Sequence, residues 1–472
     1  MNVGRQAISL GVTLMLAGLL GPRAMGTVAM ATVFVAFVQM LLQQGMGAAL
    51  VQRCEVEAVD LDVAFWMVMG SGAALAGITA VLSGWWAGVN GLPELEAILL
   101  ALTPLVLLRA LLVVPDAVLR RQLRFRPLAL RTNASVLAGG ISGAAAALAG
   151  FGAWALVVQQ LLASAVEVIV VWRAVTWRPA FRWSSQTARN LVSFTAPSAA
   201  ASLAIFVSAR ADTLIMGLLL GPVTVGLYRF AGRLIEMITE AVVGSVRAVA
   251  LPELARHRGH PEVVAQRLVE LVGLTAAAAI IPLTAVAATS ESIFRMVGPE
   301  WAPAAGALPI LALAAAGRTI GDLSGPSLQA AGRPGALAAV AWCGAVLSAA
   351  TLVTAGVLAR QSEQSTQIMA VAVAMAVLHG GLFLGLNAVV ISRCLRMRVG
   401  RIAAALLPAV IASVGGYHAG RATEMTLPGW PPPVRVAMIG ATAALCTTLN
   451  VAVGDRRIRR TLAQLFRREH AA

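Results

Sequence analysis

Arg229, Arg233, Glu236 and Glu240 follow one another at spacings of four, three and four residues inside an otherwise apolar run. A helix through them carries all four on one face. Arg210 and Asp212 stand at the end of the apolar run just before, and Arg318 and Asp322 repeat the i, i+4 arrangement in another. Arg109, Asp116 and Glu167 also fall within or at the ends of apolar stretches. Charged groups are costly in hydrocarbon, so a membrane helix bearing them faces a partner or a watery cavity. Two chemistries fit. In one, each acid neutralises the nearest arginine and the pair staples two helices. In the other, arginine in excess over paired acid receives an anion, for which the guanidinium fork suits phosphate oxygens. A carrier of cationic drugs would show the opposite excess, of buried carboxylates. For Glu167, which lies deeper, pairing and proton coupling are both open. No Ser/His/Asp set, paired carboxylates or metal-ligand spacing shares one predicted surface, so the residues offer no catalysis, cofactor or metal site.

The element that must position the arginines is Arg210 to Arg233, RADTLIMGLLLGPVTVGLYRFAGR, an apolar run broken at Gly221-Pro222 and restarted on the charged helix. It has an echo. Leu19-Leu20-Gly21-Pro22, Gly26 and Ala31 match Leu219-Leu220-Gly221-Pro222, Gly226 and Ala231 at a constant offset of 200 residues. A Gly-Pro break with glycine four residues on, at equivalent points of two membrane hairpins, is the pattern of a transporter built from two repeats with a cavity between the lobes.

Composition sets the medium. The 472 residues are 59% hydrophobic and 12% charged, with mean hydropathy +0.82. Soluble domains run near 25% charged. The net charge is +15, all of the 36 basic residues being arginine. These arginines lie between hydrophobic blocks, which is the mark of membrane topology rather than of nucleic-acid binding. Cys54, Cys343, Cys394 and Cys446 are too scattered for a disulfide framework or zinc site. Among the histidines (His257, His260, His379, His418, His470) only His379 sits inside an apolar block, where packing is the simpler role. The N-terminal segment has a mid-chain counterpart, so it reads as a retained first helix rather than a cleaved signal; a few residues are expected upstream of it.

The apolar blocks give fourteen candidate spans: roughly 3–20, 26–50, 61–84, 96–117, 129–150, 153–172, 190–210, 223–246, 266–288, 304–325, 335–358, 367–391, 402–420 and 434–453. Each has about the length a helix needs to cross the hydrocarbon core. Alternate connections carry Arg53, then Arg120 to Arg131, Arg173 to Arg189, Arg247 to Arg267, Arg333, Arg393 to Arg401 and the tail from Arg456 to Arg468; the others hold little beyond Arg23, Arg210, Arg295, Arg360 and Arg421. The ratio is near five to one and places both termini in the cytoplasm. The longest outward loop, about Thr289 to Pro303, has no room for a domain, and no GxxxxGK[ST] motif occurs, so ATP hydrolysis by this chain is excluded. Gly/Ala/Ser-rich stretches at 70–77, 138–150 and 335–350 read as tight helix packing. Prolines within the spans (Pro104, Pro115, Pro197, Pro282, Pro309, Pro326, Pro408) favour kinks.

The stretches LLGPRAMGTVAMATVF with QQGMGAALVQR, LRRQLRFRPLALRT, GFGAWALVVQQ, RADTLIMGLLLGPVTVGLYRFAGRL, VRAVALPELAR and LQAAGRPGA cover spans 1 to 11. They resemble bacterial polysaccharide-biosynthesis flippases, the polysaccharide transporter branch of the multidrug/oligosaccharidyl-lipid/polysaccharide exporter superfamily. The resemblance implies an all-α polytopic membrane protein: a six-helix lobe over 1–190, a second over 191–400 related by a pseudo-twofold axis, and two further helices with a basic cytoplasmic tail over 401–472. It implies alternating access about a cationic cavity in the bacterial inner membrane. The cargo would be an oligosaccharide on undecaprenyl diphosphate, moved outward for exopolysaccharide, capsule or O-antigen (lipopolysaccharide) assembly. On this reading Arg210, Arg229, Arg233 and Arg318 hold the diphosphate, Asp212, Glu236 and Asp322 orient them, and Glu167 orients or couples an ion. The N-terminus is shorter than the family's, and the family varies widely in its charged cavity residues. Partners would be membrane lipids, a polysaccharide polymerase and glycosyltransferases, with the chain a monomer and not an enzyme. The rivals are a multidrug-type ion-coupled exporter on the same fold and a membrane polymerase or ligase, which needs a large outward loop.

Overall fold

The computed structural model describes residues 2–43, 46–53, 55–256, 261–330 and 333–454; Cys54, His257, His260, His470 and the tail arginines lie outside them. All regular structure among the described residues is helical. Ten helices among the described residues are long and apolar enough to cross a membrane. The chain divides into two compact units, Met1–Gly226 and Leu227–Ala472.

The first unit opens with α1 (Asn2–Gln43), whose 42 residues would reach about 63 Å if straight, twice a hydrocarbon core. It is not straight. Gly21 has φ 71° and ψ 171°, a backbone region open essentially only to glycine, and Pro22 starts the next arm where a missing N–H costs nothing. Ser9 and Thr13 from one arm line the same cavity as Thr32 and Gln39 from the other, so the chain doubles back at this residue. One kinked helix thus supplies the first two expected spans. After the short α2 (Met46–Gln52) come α3 (Ala58–Asn90), α4 (Pro93–Arg121), α5 (Phe125–Leu148) and α6 (Trp154–Ala174).

Helix α4 is the centre of this unit and packs against α1, α3 and α6. Its Leu95, Ile98, Leu99, Leu102, Leu105 and Val106 form a fully buried stripe at helical spacing. The glycines of α5 do pack tightly: a Cβ on Gly139 or Gly143 would lie 2.9 Å from Ala163 or Gln159 of α6. In α3 only one side of the stretch at 70–77 packs: Gly72 and Ala76 are buried, while Gly70 and Gly77 face open space. Two acids pin the arginine-rich end. Asp62 accepts from the Ala180 N–H at 3.2 Å and pairs with Arg182 at 3.5 Å, while Asp116 pairs with Arg131 and Arg120.

Helix α7 (Ser185–Arg256) repeats the device of α1. Gly221, at φ 80° and ψ −179°, interrupts it before Pro222. The two breaks meet. A Cβ on Gly26 would lie 1.7 Å from the Pro222 carbonyl oxygen, and one on Gly226 1.9 Å from that of Pro22. The contact is reciprocal, as a local two-fold relation between the motifs demands, so the echo seen in sequence is a pair of backbones in direct contact.

The second unit takes up the rest of α7, then α8 (Pro261–Ala288), α9 (Ser290–Val297), a 3-10 turn over Pro299–Ala304, α10 (Ala307–Gly321), α11 (Ser324–Ala330) and α12 (Pro334–Ala359). α13 (Gln364–Met375) and α14 (Leu384–Cys394) are joined by a π-helical segment, Ala376–Phe383, followed by α15 (Gly400–Thr426) and α16 (Pro432–Gly454). The π segment interrupts the twelfth expected span and has no sequence marker; it sits where Gly317 of α10 lets the His379 and Gly380 backbone approach. α8 packs against α10, α15 and α16, so the last two helices belong to this unit's core.

At one end of the unit an ionic cluster joins α9, α15 and α16. Buried Glu424 accepts from Ser292 at 2.9 Å and pairs with Arg421 and, at 3.5 Å, with Arg435. Glu291 takes hydrogen bonds at 2.7 Å from both Arg421 and Arg295. The Arg421 hydrogen bond is the largest influence holding the Glu291 carboxyl below its ordinary 4.5, against a smaller opposing effect of burial. A depressed carboxyl stabilises the fold above its unfolded pKa, and that stability is lost as pH falls through the folded one. The melting temperature of the purified protein should therefore fall below pH 4.5, with Glu291→Gln starting lower and declining less. Parallel melting curves for the two proteins would overturn this assignment.

Candidate functional site

The arginine-bearing arm of α7 is set by what it buries. Phe230 is fully buried against Phe294 and Trp301, ring centroids 5.8 and 4.5 Å away. Leu227, Ala231, Leu234 and Ile235 are buried with it. Rotation about the helix axis is then fixed, and the opposite stripe carries Arg229, Gly232, Arg233 and Glu236 at intermediate exposure. Glu236 stands between the two arginines, 3.7 Å from Arg229 and 3.8 Å from Arg233. Its side chain is 43% exposed, those of the arginines 26% and 40%. At these distances the pairs are loose, worth well under 1 kcal/mol each. Glu240 lies a turn further on and is exposed.

The other expected residues are placed as follows. Arg318 is exposed near the end of α10, and no ion pair or hydrogen bond of its side chain exists among the described residues. Asp322, expected to orient it, forms the C-cap of α10, which ends at Gly321, and donates its N–H to the Arg318 carbonyl oxygen at 2.9 Å. Arg210 and Asp212 belong to the first unit. There Asp212 accepts the Thr213 N–H at 2.6 Å and its hydroxyl at 3.2 Å.

Glu167 has a definite partner. Arg109 of α4 donates to it at 2.6 Å, with side-chain exposures of 28% and 14%. The pair that composition left open is an ion pair linking α4 to α6. It lines a cavity of 380 Å³ inside the first unit, between both arms of α1 and helices α4, α5 and α6. Gln39, Gln159, Gln160 and Ser164 line it too. Sequence reasoning passed over these residues because they are uncharged. The signal was present: Gln160, Ser164 and Glu167 recur at spacings of four and three within an apolar block, one polar face on a membrane helix.

Glycine-broken helices, an intramembrane ion pair and a charged stripe on a discontinuous helix define a multi-pass helical membrane protein. Residues 15–305 match the family described as Polysaccharide biosynthesis protein, and the chain belongs to that family. It is 26% identical over 237 residues to the succinoglycan biosynthesis transport protein ExoT of Rhizobium meliloti, covering 50% of this chain and 48% of that one. It is 24% identical over 272 residues to the teichuronic acid biosynthesis protein TuaB of Bacillus subtilis, covering 57% and 56%. The chain thus spans about half the length of these curated relatives in the matched regions. The fold is that of the lipid II flippase MurJ in an inward closed conformation, with TM-score 0.76 at 13% identity over 97% of this chain and 98% of that one. An inward-facing multidrug resistance MATE transporter of the MOP superfamily superimposes with TM-score 0.62 at 13% identity, over 83% and 96%. The resemblance read from the sequence and the all-helical membrane fold are both borne out.

Proposed function

We propose that the chain is a flippase that carries an undecaprenyl-diphosphate-linked oligosaccharide from the cytoplasmic to the outer leaflet of the bacterial inner membrane. The observation that carries this reading is the half-exposed Arg229–Glu236–Arg233 stripe, two guanidinium groups anchored by a buried aromatic core, in a chain of a polysaccharide biosynthesis family. Arg229 and Arg233, with Arg210 and Arg318, grip the diphosphate, and Glu236 and Asp212 orient them. Transport is by alternating access between lobes at 1–190 and 191–400, with two further helices and a basic tail over 401–472 and both termini cytoplasmic. A polymerase and glycosyltransferases act before and after it. The chain itself makes and breaks no bonds.

A clean deletion strain tests this. Lipid-linked repeat units should accumulate in the cytoplasmic leaflet. Units exported but left unpolymerised would sink the flippase and favour a polymerase; drug sensitivity with normal polysaccharide would favour a multidrug exporter.

A further inference from the structure

The cavity of the first unit has no part in gripping a diphosphate, and its chemistry identifies a different ligand. Its centre is Arg109 hydrogen-bonded to Glu167 at 2.6 Å, a pair with no net charge. An anion would meet the Glu167 carboxylate and a cation the Arg109 guanidinium, so neither is favoured. No aromatic ring lines it, which removes the platform on which an organic cation stacks. A lipid tail is disfavoured as well, because the walls hold polar atoms that hydrocarbon leaves unsatisfied. Arg109 Nε and the fully buried Ser164 Oγ have no hydrogen-bond partner. Among the described residues the side-chain amides of Gln39, Gln159 and Gln160 make no hydrogen bond either.

What remains is a neutral ligand that is dense in groups able to donate and accept at once. Glutamine amides offer both functions, Glu167 accepts, Arg109 Nε donates, and the Ser164 hydroxyl does either. Between these polar groups lie Val12, Val35 and Leu105, which suit the C–H faces of a ring. At 380 Å³ the cavity is at the small end of ligand sites, room for a sugar residue rather than a whole repeat unit.

We propose that this cavity is a sugar-binding subsite, which receives a neutral monosaccharide unit of the lipid-linked oligosaccharide and hydrogen-bonds its hydroxyls through Gln39, Gln159, Gln160, Ser164 and the Arg109–Glu167 pair. The proposal rests on the flippase reading and deepens it: the arginine stripe recognises the diphosphate common to all such lipids, and this cavity recognises the sugar. Glu167 and Arg109 hold each other in position, so the subsite is pre-formed.

The test uses the full chain in lipid nanodiscs and two probes, the lipid-linked repeat unit extracted from the deletion strain and synthetic undecaprenyl diphosphate without sugar. Two or three hydrogen bonds predict that the wild-type protein binds the sugar-bearing lipid at least about tenfold more tightly than the bare one. Gln160→Leu combined with Ser164→Ala keeps side-chain volume and removes the polar atoms, and this ratio should fall to near one. Should that pair prevent folding, Gln39→Leu, on a different helix, should lower the ratio about threefold. A ratio of one in the wild type, or a tenfold ratio that survives the substitutions, overturns the subsite while leaving the flippase intact. A wild-type protein that binds neither lipid, or a deletion strain that accumulates none, overturns the flippase reading and the subsite with it.

Discussion

Arg233→Ala, made in full amount and folded, should leave cells without surface polysaccharide, and Arg229→Ala should do the same. A charge-assisted hydrogen bond to a phosphate oxygen is worth about 1.5–3 kcal/mol, so losing one weakens binding by roughly 10- to 100-fold. Arg233→Lys should restore only part, because an ammonium keeps the charge and loses the two-pronged geometry. The structural alternative, in which the stripe staples helices, predicts otherwise. The ion pair between Arg229 and Glu236 is long and half-exposed, so removing Arg229 should shift the melting temperature little. Glu236→Gln keeps both cations and removes only the carboxylate that orients them, so export should fall less than in either arginine variant. Normal polysaccharide in cells producing Arg233→Ala would remove this residue from the site.

The second large effect belongs to glycine. Gly26→Ala and Gly226→Ala should each prevent stable folding or lower the melting temperature severely, and export should fall with it. The new Cβ would lie 1.7 Å from the Pro222 carbonyl oxygen in one case and 1.9 Å from that of Pro22 in the other. Both obstructing atoms are backbone, in segments whose direction is fixed by proline, so no rotamer change relieves the overlap. The cost should exceed about 3 kcal/mol, the upper range for single substitutions. Because the two glycines report on one contact, the double variant should cost far less than the sum. Gly11→Ala and Gly232→Ala are the counterparts. They stand in the same two helices with nothing within 4 Å, and alanine there should be neutral or stabilising by up to about 1 kcal/mol through helix propensity. Equal melting temperatures for Gly26→Ala and Gly11→Ala would show that the crossing is not tight in solution.

These two sites divide the protein between what sequence determines and what folding adds. Hydropathy alone settled the medium and the helical class, because blocks of about twenty apolar residues can satisfy their backbone in lipid only as helix. The motif Leu-Leu-Gly-Pro with glycine four residues on, written twice, specified two equivalent breaks. Proline and glycine act on the local backbone, so their effect is legible residue by residue. The face carrying Arg229, Arg233 and Glu236 was legible too, since helical spacing fixes which residues share a side. What those residues meet was not. That Arg109 reaches Glu167, 58 residues away, that Gln39 and Gln160 close one cavity, and that Asp322 caps α10 are all contacts between distant elements or consequences of where a helix stops. Helix propensity and spacing carry no information about which helices become neighbours. Nor does composition mark the π-helical turn at Ala376–Phe383, which occurs where α10 and its neighbour approach through Gly317. Local rules drew the helices and their charges. Only packing decided which charges were paired across helices.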